Sequence, residues 1–198
     1  MSDSDRENTD IYTGDTSSIS PENLSYMYEA LNEAGSAAEI GEVPIGAVVV
    51  QAGKIIGRGY NRRETDRDVT AHAEILAIRA AARHLGTWRL NDCDLYVTLE
   101  PCHMCAAAGV QARIRHIYFA AADPKGGAIF SVDNYLDNAA TFHSVRWTGG
   151  LLATESSELL QDFFRLLRER NKNIDRSLGS KGARLRWRKG EDTNREAP

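Results

Sequence analysis

The chain predicts an α/β protein of three layers, with helices on either side of one central five-stranded mixed sheet. Two observations carry this. The apolar periodicities follow the order α-β-β-α-β-α-β-β-α, and the first two β-rich runs meet at a Gly turn, the mark of a hairpin. Residues 1–20 are rich in Ser, Asp and Thr and poor in apolar residues, so an acidic, disordered N-terminal extension is expected. Ser20 as N-cap and Pro21 at the first helical position open a helix that stops near Gly41. Its Leu24, Met27, Tyr28 and Leu31 recur at helical spacing and should face the core.

Ile45–Val50 and Lys54–Tyr60 are the hairpin strands, joined through Ala52-Gly53, and a charged loop, Asn61–Asp68, follows. Thr70 caps a helix from Ala71 to about Leu85, closed by Gly86. Asp94–Leu99 alternates as a strand, Pro101 begins a short helix from Cys102 to about Ala112, and His116–Ala122 is a further strand. Asp123–Asn138, with Gly126-Gly127, reads as a loop containing one helical turn, and Ser144–Trp147 as the last strand. Thr154 caps an amphipathic helix through Arg170, with Leu159, Leu160, Phe163, Phe164 and Leu167 on one side. Residues 173–198 lack a core pattern and form a basic tail, which leaves one folded domain over residues 21–172.

Composition narrows the function classes. The 198 residues are 42% hydrophobic and 26% charged, enough for one real core without disulfide staples. Three cysteines cannot all pair, the opening MSDSDRENTD is unlike a signal peptide, and the longest apolar run, PIGAVVV, is too short to span a bilayer. A soluble protein of the reducing cytoplasm, with no membrane partner, is expected. The net charge of -4 averages over an asymmetry. Residues 172–190 hold Lys172, Arg176, Lys181, Arg184, Arg186, Arg188 and Lys189 against Asp175 alone, a segment that either attracts phosphates or merely keeps the chain soluble.

The chemistry concentrates in two short segments, Thr-Ala-His72-Ala-Glu74 and Pro-Cys102-His-Met-Cys105. Cysteines at i and i+3 in a helix's first turn point the same way, and the helix dipole there favours thiolate. Two thiolates and the imidazole of His72 suit zinc with three protein ligands and one open position, the pattern of catalytic rather than structural sites. Iron could occupy similar ligands. Glu74, two residues after His72, can reach past the metal toward the open position. A metal lowers the pKa of bound water to about 7, and a carboxylate beside it can take that proton and later return it to a leaving group. Such a site is equipped to remove ammonia from an amidine-like ring carbon. The plainer readings of these residues are a redox Cys-x-x-Cys, a structural zinc closed by His103, and a Glu74 that only favours the helix dipole. Asn61 could simply end a strand.

His72-Ala73-Glu74 with Pro101-Cys102-His103-Met104-Cys105 is the H-x-E…P-C-x-x-C pattern of the zinc nucleobase deaminases. From about Pro44 to Arg170 the chain resembles more closely the bacterial tRNA-specific adenosine deaminases, through Val43–Ala47, Gly59–Asn61, Thr70–Leu76, Leu95–Cys105, Asp123–Ala128 and Asp162–Arg165. The resemblance implies a cytidine-deaminase-like fold and deamination of adenosine to inosine at the wobble position of an arginine tRNA. It implies one zinc per subunit on His72, Cys102 and Cys105, with Glu74 shuttling protons. It also implies that Asn61 hydrogen-bonds the flipped base, that Pro44 lines the base pocket, and that Asp123 and Lys125 contact neighbouring nucleotides of the anticodon stem-loop. Phe163 and Phe164 would shape the loop-binding surface, with Arg165 available for phosphate. Members are homodimers, so a dimer is expected. Two positions depart from the family: Phe130 stands where a Gly is usual and Phe142 where an Asn is usual. Either these rings stack on bases, at about 1–3 kcal/mol each, or they close a pocket for a free base such as guanine or cytosine. A non-catalytic RNA-binding subunit that keeps zinc for folding is the remaining alternative.

Overall fold

The computed structural model of the chain describes residues 19–137 and 142–189, with side chains described as far as residue 173. The expected disorder of residues 1–20 and the character of the basic tail's side chains therefore fall almost wholly outside the described residues. The chain divides into two units, residues 1–160 and 161–198.

In the first unit, α1 (Pro21–Glu39) is followed by β1 (Gly46–Gln51) and β2 (Lys54–Tyr60). Then come a short α2 (Arg63–Asp66), α3 (Ala73–Leu85), β3 (Cys93–Leu99), α4 (His103–Ala112), β4 (His116–Ala121) and β5 (Arg146–Gly149). The strands form one five-stranded sheet in the order β2-β1-β3-β4-β5. β1 runs antiparallel to β2 and β3, whereas β3, β4 and β5 are mutually parallel, so the sheet is mixed as expected. Ala52 and Gly53 both take positive φ in the hairpin turn, which matches its twist to that of the strands. Strand alternation divides the core between two faces. Val48, Val50, Tyr96, Tyr118 and Ala120 pack on the α1 side with Met27 and Ala30, while Ala47, Val49, Leu95, Val97, Ile117 and Phe119 pack beneath α3 and α4.

Small residues set the spacing of the helices. A Cβ on Gly46 would come within 2.1 Å of the Ala30 carbonyl oxygen, and one on Gly59 within 2.5 Å of the Ala73 carbonyl oxygen. This close approach corrects the expected face of α1. Met27, Ala30, Ala34 and Ala37 are its buried residues, and Tyr28 is 52% exposed, because the alanine side lets the helix backbone lie against β1.

Two helix starts also shift. Thr70 does not cap α3, because its backbone N–H and its hydroxyl are both taken by Asp68 Oδ1. His72 occupies the N-cap position instead, with extended backbone, and Cys102 does the same for α4. Gly86 ends α3 in the left-handed conformation, as its sequence position suggests. The charged loop after β2 holds the turn of helix α2, and a 3-10 turn, Tyr135–Asp137, supplies the helical turn expected after β4.

The last helix, α5 (Ala153–Lys189), begins one residue before Thr154 and continues well past Arg170. No proline interrupts it. In the second unit, Phe163 and Phe164 meet edge to face with ring centroids 5.5 Å apart, and Arg165 pairs with Asp162 at 2.7 Å. No described helix is long and apolar enough to cross a membrane.

Candidate active site

α3 and α4 bring their N-termini together, and the two N-cap residues, His72 and Cys102, meet there. His72 Nδ1 lies 3.5 Å from Cys105 Sγ and 3.8 Å from Cys102 Sγ, and the three donor atoms all fall within 4.8 Å of one another. Tetrahedral bonds of about 2.3 Å to sulfur and about 2.0 Å to nitrogen would hold such donors about 3.6 Å apart, so these three residues fit a zinc-sized ion. Among the described residues this is the group able to hold a metal. His103 is not part of it: its Nε2 faces Asp133 Oδ2 at 2.8 Å. That removes the fourth protein ligand a closed structural site would need.

The electrostatics of the group follow from its hydrogen bonds. The Cys105 thiol and His72 hold the Cys102 thiol down to about 3, against the opposing effect of burial. The same contact with Cys102, together with burial, pushes Cys105 far up, so the paired sulfurs readily lose one proton and resist losing the second. A divalent ion held by His72, Cys102 and Cys105 would favour the deprotonated form of both sulfurs. Cys102 also raises the His72 imidazole. Glu74 is 4% exposed and its carboxyl meets Cys105; burial pushes its pKa above the ordinary carboxylate value.

A cleft of about 190 Å³ opens beside this group, lined by His72, Glu74, Cys102, Asn61 and Asp123 together with Glu42, Glu100, Arg63 and Glu64. Asn61, at the end of β2, and Asp123, just beyond β4, thus converge on His72 and Glu74 from different elements. Pro44 is placed otherwise than the resemblance implies. It is buried between Val43 and Ile45, which line the cleft while Pro44 does not, since alternation of the extended backbone turns it inward. Lys125 is exposed outside the lining, and its backbone N–H bonds Asp123 Oδ1 at 3.0 Å. Phe142 is 61% exposed and does not line the cleft. Phe164 is exposed and belongs to the second unit.

Two buried acids were not singled out by sequence reasoning. Glu100, 3% exposed, accepts hydrogen bonds from the backbone N–H groups of Asp123, Ile129, Phe130 and Ser131, and from the Ser131 hydroxyl. Burial pushes its carboxyl up as the largest single influence, yet the Ser131 hydroxyl and these amides outweigh it and hold the group below the ordinary value. Gly127 packs directly against that carboxylate. Glu42, 2% exposed, receives Asn61 Nδ2 at 3.1 Å and the Thr65 backbone N–H at 2.6 Å. Their one sequence signal was position, Glu100 directly before Pro101-Cys102 and Glu42 directly before Val43-Pro44.

A sheet of this order, with two cysteines and a histidine converging on helix N-termini and a buried glutamate beside them, has the architecture of a nucleobase deaminase. The MafB19-like deaminase family matches residues 22–168, and the chain belongs to that family. More particularly, the chain is 48% identical over 153 residues to a tRNA-specific adenosine deaminase of Bacillus subtilis, covering 77% of this chain and 95% of that protein. A solved structure from a study of A-to-I editing by tRNA:A34 deaminases at the wobble position of transfer RNA superposes with a TM-score of 0.67 at 51% identity. It covers 69% of this chain and 99% of its own. A guanine deaminase from Nitrosomonas europaea shares the fold at a TM-score of 0.59 and 29% identity, over 73% of this chain and 84% of its own.

Proposed function

We propose that the protein deaminates adenosine to inosine at the wobble position of a transfer RNA, most simply an arginine tRNA, with one zinc ion per subunit of a cytoplasmic homodimer. The observation that carries this reading is the convergence of Glu74 and Asn61 on the His72–Cys102–Cys105 group within one cleft. His72, Cys102 and Cys105 would hold the zinc, which supplies the Lewis acidity that makes water acidic near neutral pH.

Glu74 then works as general base and general acid. Its carboxylate takes a proton from water as the water oxygen adds to C6 of the adenine, and it returns a proton to the amine, which leaves as ammonia. Burial serves this exchange by keeping the carboxyl from being strongly acidic. Asn61 holds the base, and Asp123, which also lines the cleft, and Lys125 contact the neighbouring nucleotides.

Phe130 and Phe142 support RNA over a free base. Both rings are exposed and neither lines the cleft, so they do not seal it around a small substrate. They suit stacking on flanking nucleotides. The test is incubation of zinc-loaded protein with an arginine tRNA anticodon stem-loop, followed by sequencing for inosine. Conversion of the wobble adenosine is expected. No conversion, alongside turnover of free guanine or cytosine, overturns the reading.

A further inference from the structure

Asn61 Nδ2 donates to Glu42 Oε2, and the other carboxylate oxygen of Glu42 accepts from the Thr65 backbone at 2.6 Å. A carboxylate only accepts, so Glu42 can hold Asn61 by its amide nitrogen and not by its oxygen. Among the described residues nothing donates to Asn61 Oδ1, and no buried polar side-chain atom is left unpaired. Oδ1 is therefore reachable by solvent, and the surface that Asn61 lines is the cleft.

We infer that Glu42 is a positioning residue that fixes the direction of the Asn61 amide and thereby the purine edge the cleft accepts. The inference rests on the function proposed above and extends it to specificity. With its nitrogen turned to Glu42, Asn61 presents an acceptor, Oδ1, with one amide hydrogen left over. That pattern complements an edge carrying an N–H donor beside a ring-nitrogen acceptor, as the 6-amino group and N7 of adenine do. The edge of guanine carries two acceptors, O6 and N7, and meets Oδ1 with repulsion. Glu42 also ties Thr65 of α2 to the same point, so the wall carrying Arg63 and Glu64 and the amide of Asn61 are set by one group.

Glu42→Gln tests this, because a glutamine offers one acceptor and one donor to two donors. The Thr65 backbone N–H cannot turn over, so the amide of Asn61 must, and the cleft loses its acceptor. On the anticodon stem-loop, kcat/KM of E42Q should fall about 10- to 100-fold. Melting temperature and zinc content should stay near those of the unaltered protein. In an N61A background E42Q should cost nothing further. E42A, which removes the carboxylate without placing a donor there, should lose less than E42Q, an order opposite to that expected from shape alone. Multiplicative losses in the double variant, or E42A falling below E42Q, overturn the role of Glu42. If the unaltered enzyme forms no inosine in the stem-loop, the function proposed above fails, and this inference with it.

Discussion

Glu100→Gln removes one charge from the cage that shapes one lip of the cleft, and its cost can be counted from the bonds. The carboxylate oxygen Oε1 receives the Ile129, Phe130 and Ser131 amides at 3.1, 2.8 and 2.9 Å, and Oε2 receives the Asp123 amide at 3.0 Å and the Ser131 hydroxyl. A glutamine oxygen can keep the first three bonds, weakened by loss of the charge, and Ser131 can turn its hydroxyl to accept from the new amide. The Asp123 N–H is then left facing a donor. An orphaned amide costs about 1–3 kcal/mol and a hydrogen bond to a charged group is worth about 1.5–3 kcal/mol against about 1 for a neutral one, so the net loss is at least about 3 kcal/mol. For a unit of this size that is roughly 6–12 °C in melting temperature. Urea unfolding of zinc-loaded protein, followed by circular dichroism, measures it, with the denaturant slope unchanged. A loss below about 1 kcal/mol would refute the claim that this carboxylate holds the loop. Gly127→Ala should cause a similar loss, since its Cβ would fall 2.2 Å from the same carboxylate. The two losses should not add, because both break one cage.

Other perturbations separate chemistry from architecture. Glu74→Gln should lower turnover on the stem-loop by about 10²- to 10⁴-fold while zinc content, read by atomic absorption, stays at one per chain. After chelation, iodoacetamide at pH 7 should label Cys102, whose thiol is held down to about 3, and spare Cys93, which burial pushes up to about 11; mass spectrometry reads the sites. Zinc added back should protect Cys102. Gly59→Ala should destabilise the protein by about 1–3 kcal/mol, since its Cβ would lie 2.5 Å from the Ala73 carbonyl oxygen, and should lower kcat by displacing the start of α3. An unchanged melting temperature in G59A would mean that α3 is not seated through that glycine.

The parts of the site legible in the sequence are those whose partners are near in the chain. Cys102 and Cys105 share the first turn of α4, so their spacing alone points them one way, and His72 and Glu74 stand at the start of α3, two residues apart. The hairpin limits were legible for a similar reason, because apolar alternation and the Ala52-Gly53 turn are local signals, whereas the last strand lies at Arg146–Gly149, two residues beyond the expected Ser144–Trp147, since its limits are set by pairing with β4. Glu42 and Glu100 were not, because their partners lie 19 to 31 residues away and are largely backbone amides, which leave no trace in composition. On the expected side of α1, Met27 is buried but Tyr28 is not, for a different reason. Weighting large apolar residues favours Tyr28, whereas the contact with β1 is made by alanines facing Gly46. The start of α3 moved by two residues because Asp68 captured Thr70, a competition between two caps that a one-residue rule does not weigh.

Glu42 and Glu100 each order part of the cleft lining by the same means. Each is a buried acid whose oxygens are filled by donors from a segment that has no regular ladder of its own, 61–65 for one and 123–131 for the other. The base of the cleft needs no such device, since His72, Cys102 and Cys105 stand on helices fixed by the sheet. A substrate that reacts at the base but is chosen at the walls can therefore change without disturbing the metal group. That division explains how one deaminase scaffold can serve a nucleotide in RNA and a free purine, with the difference residing in the walls and in what stands at their rim. Phe130 is tied to the second of these segments, its ring 6.0 Å from Trp147 and its backbone N–H bonded to Glu100, so the carboxylate that orders this part of the cleft lining also fixes where that ring stands.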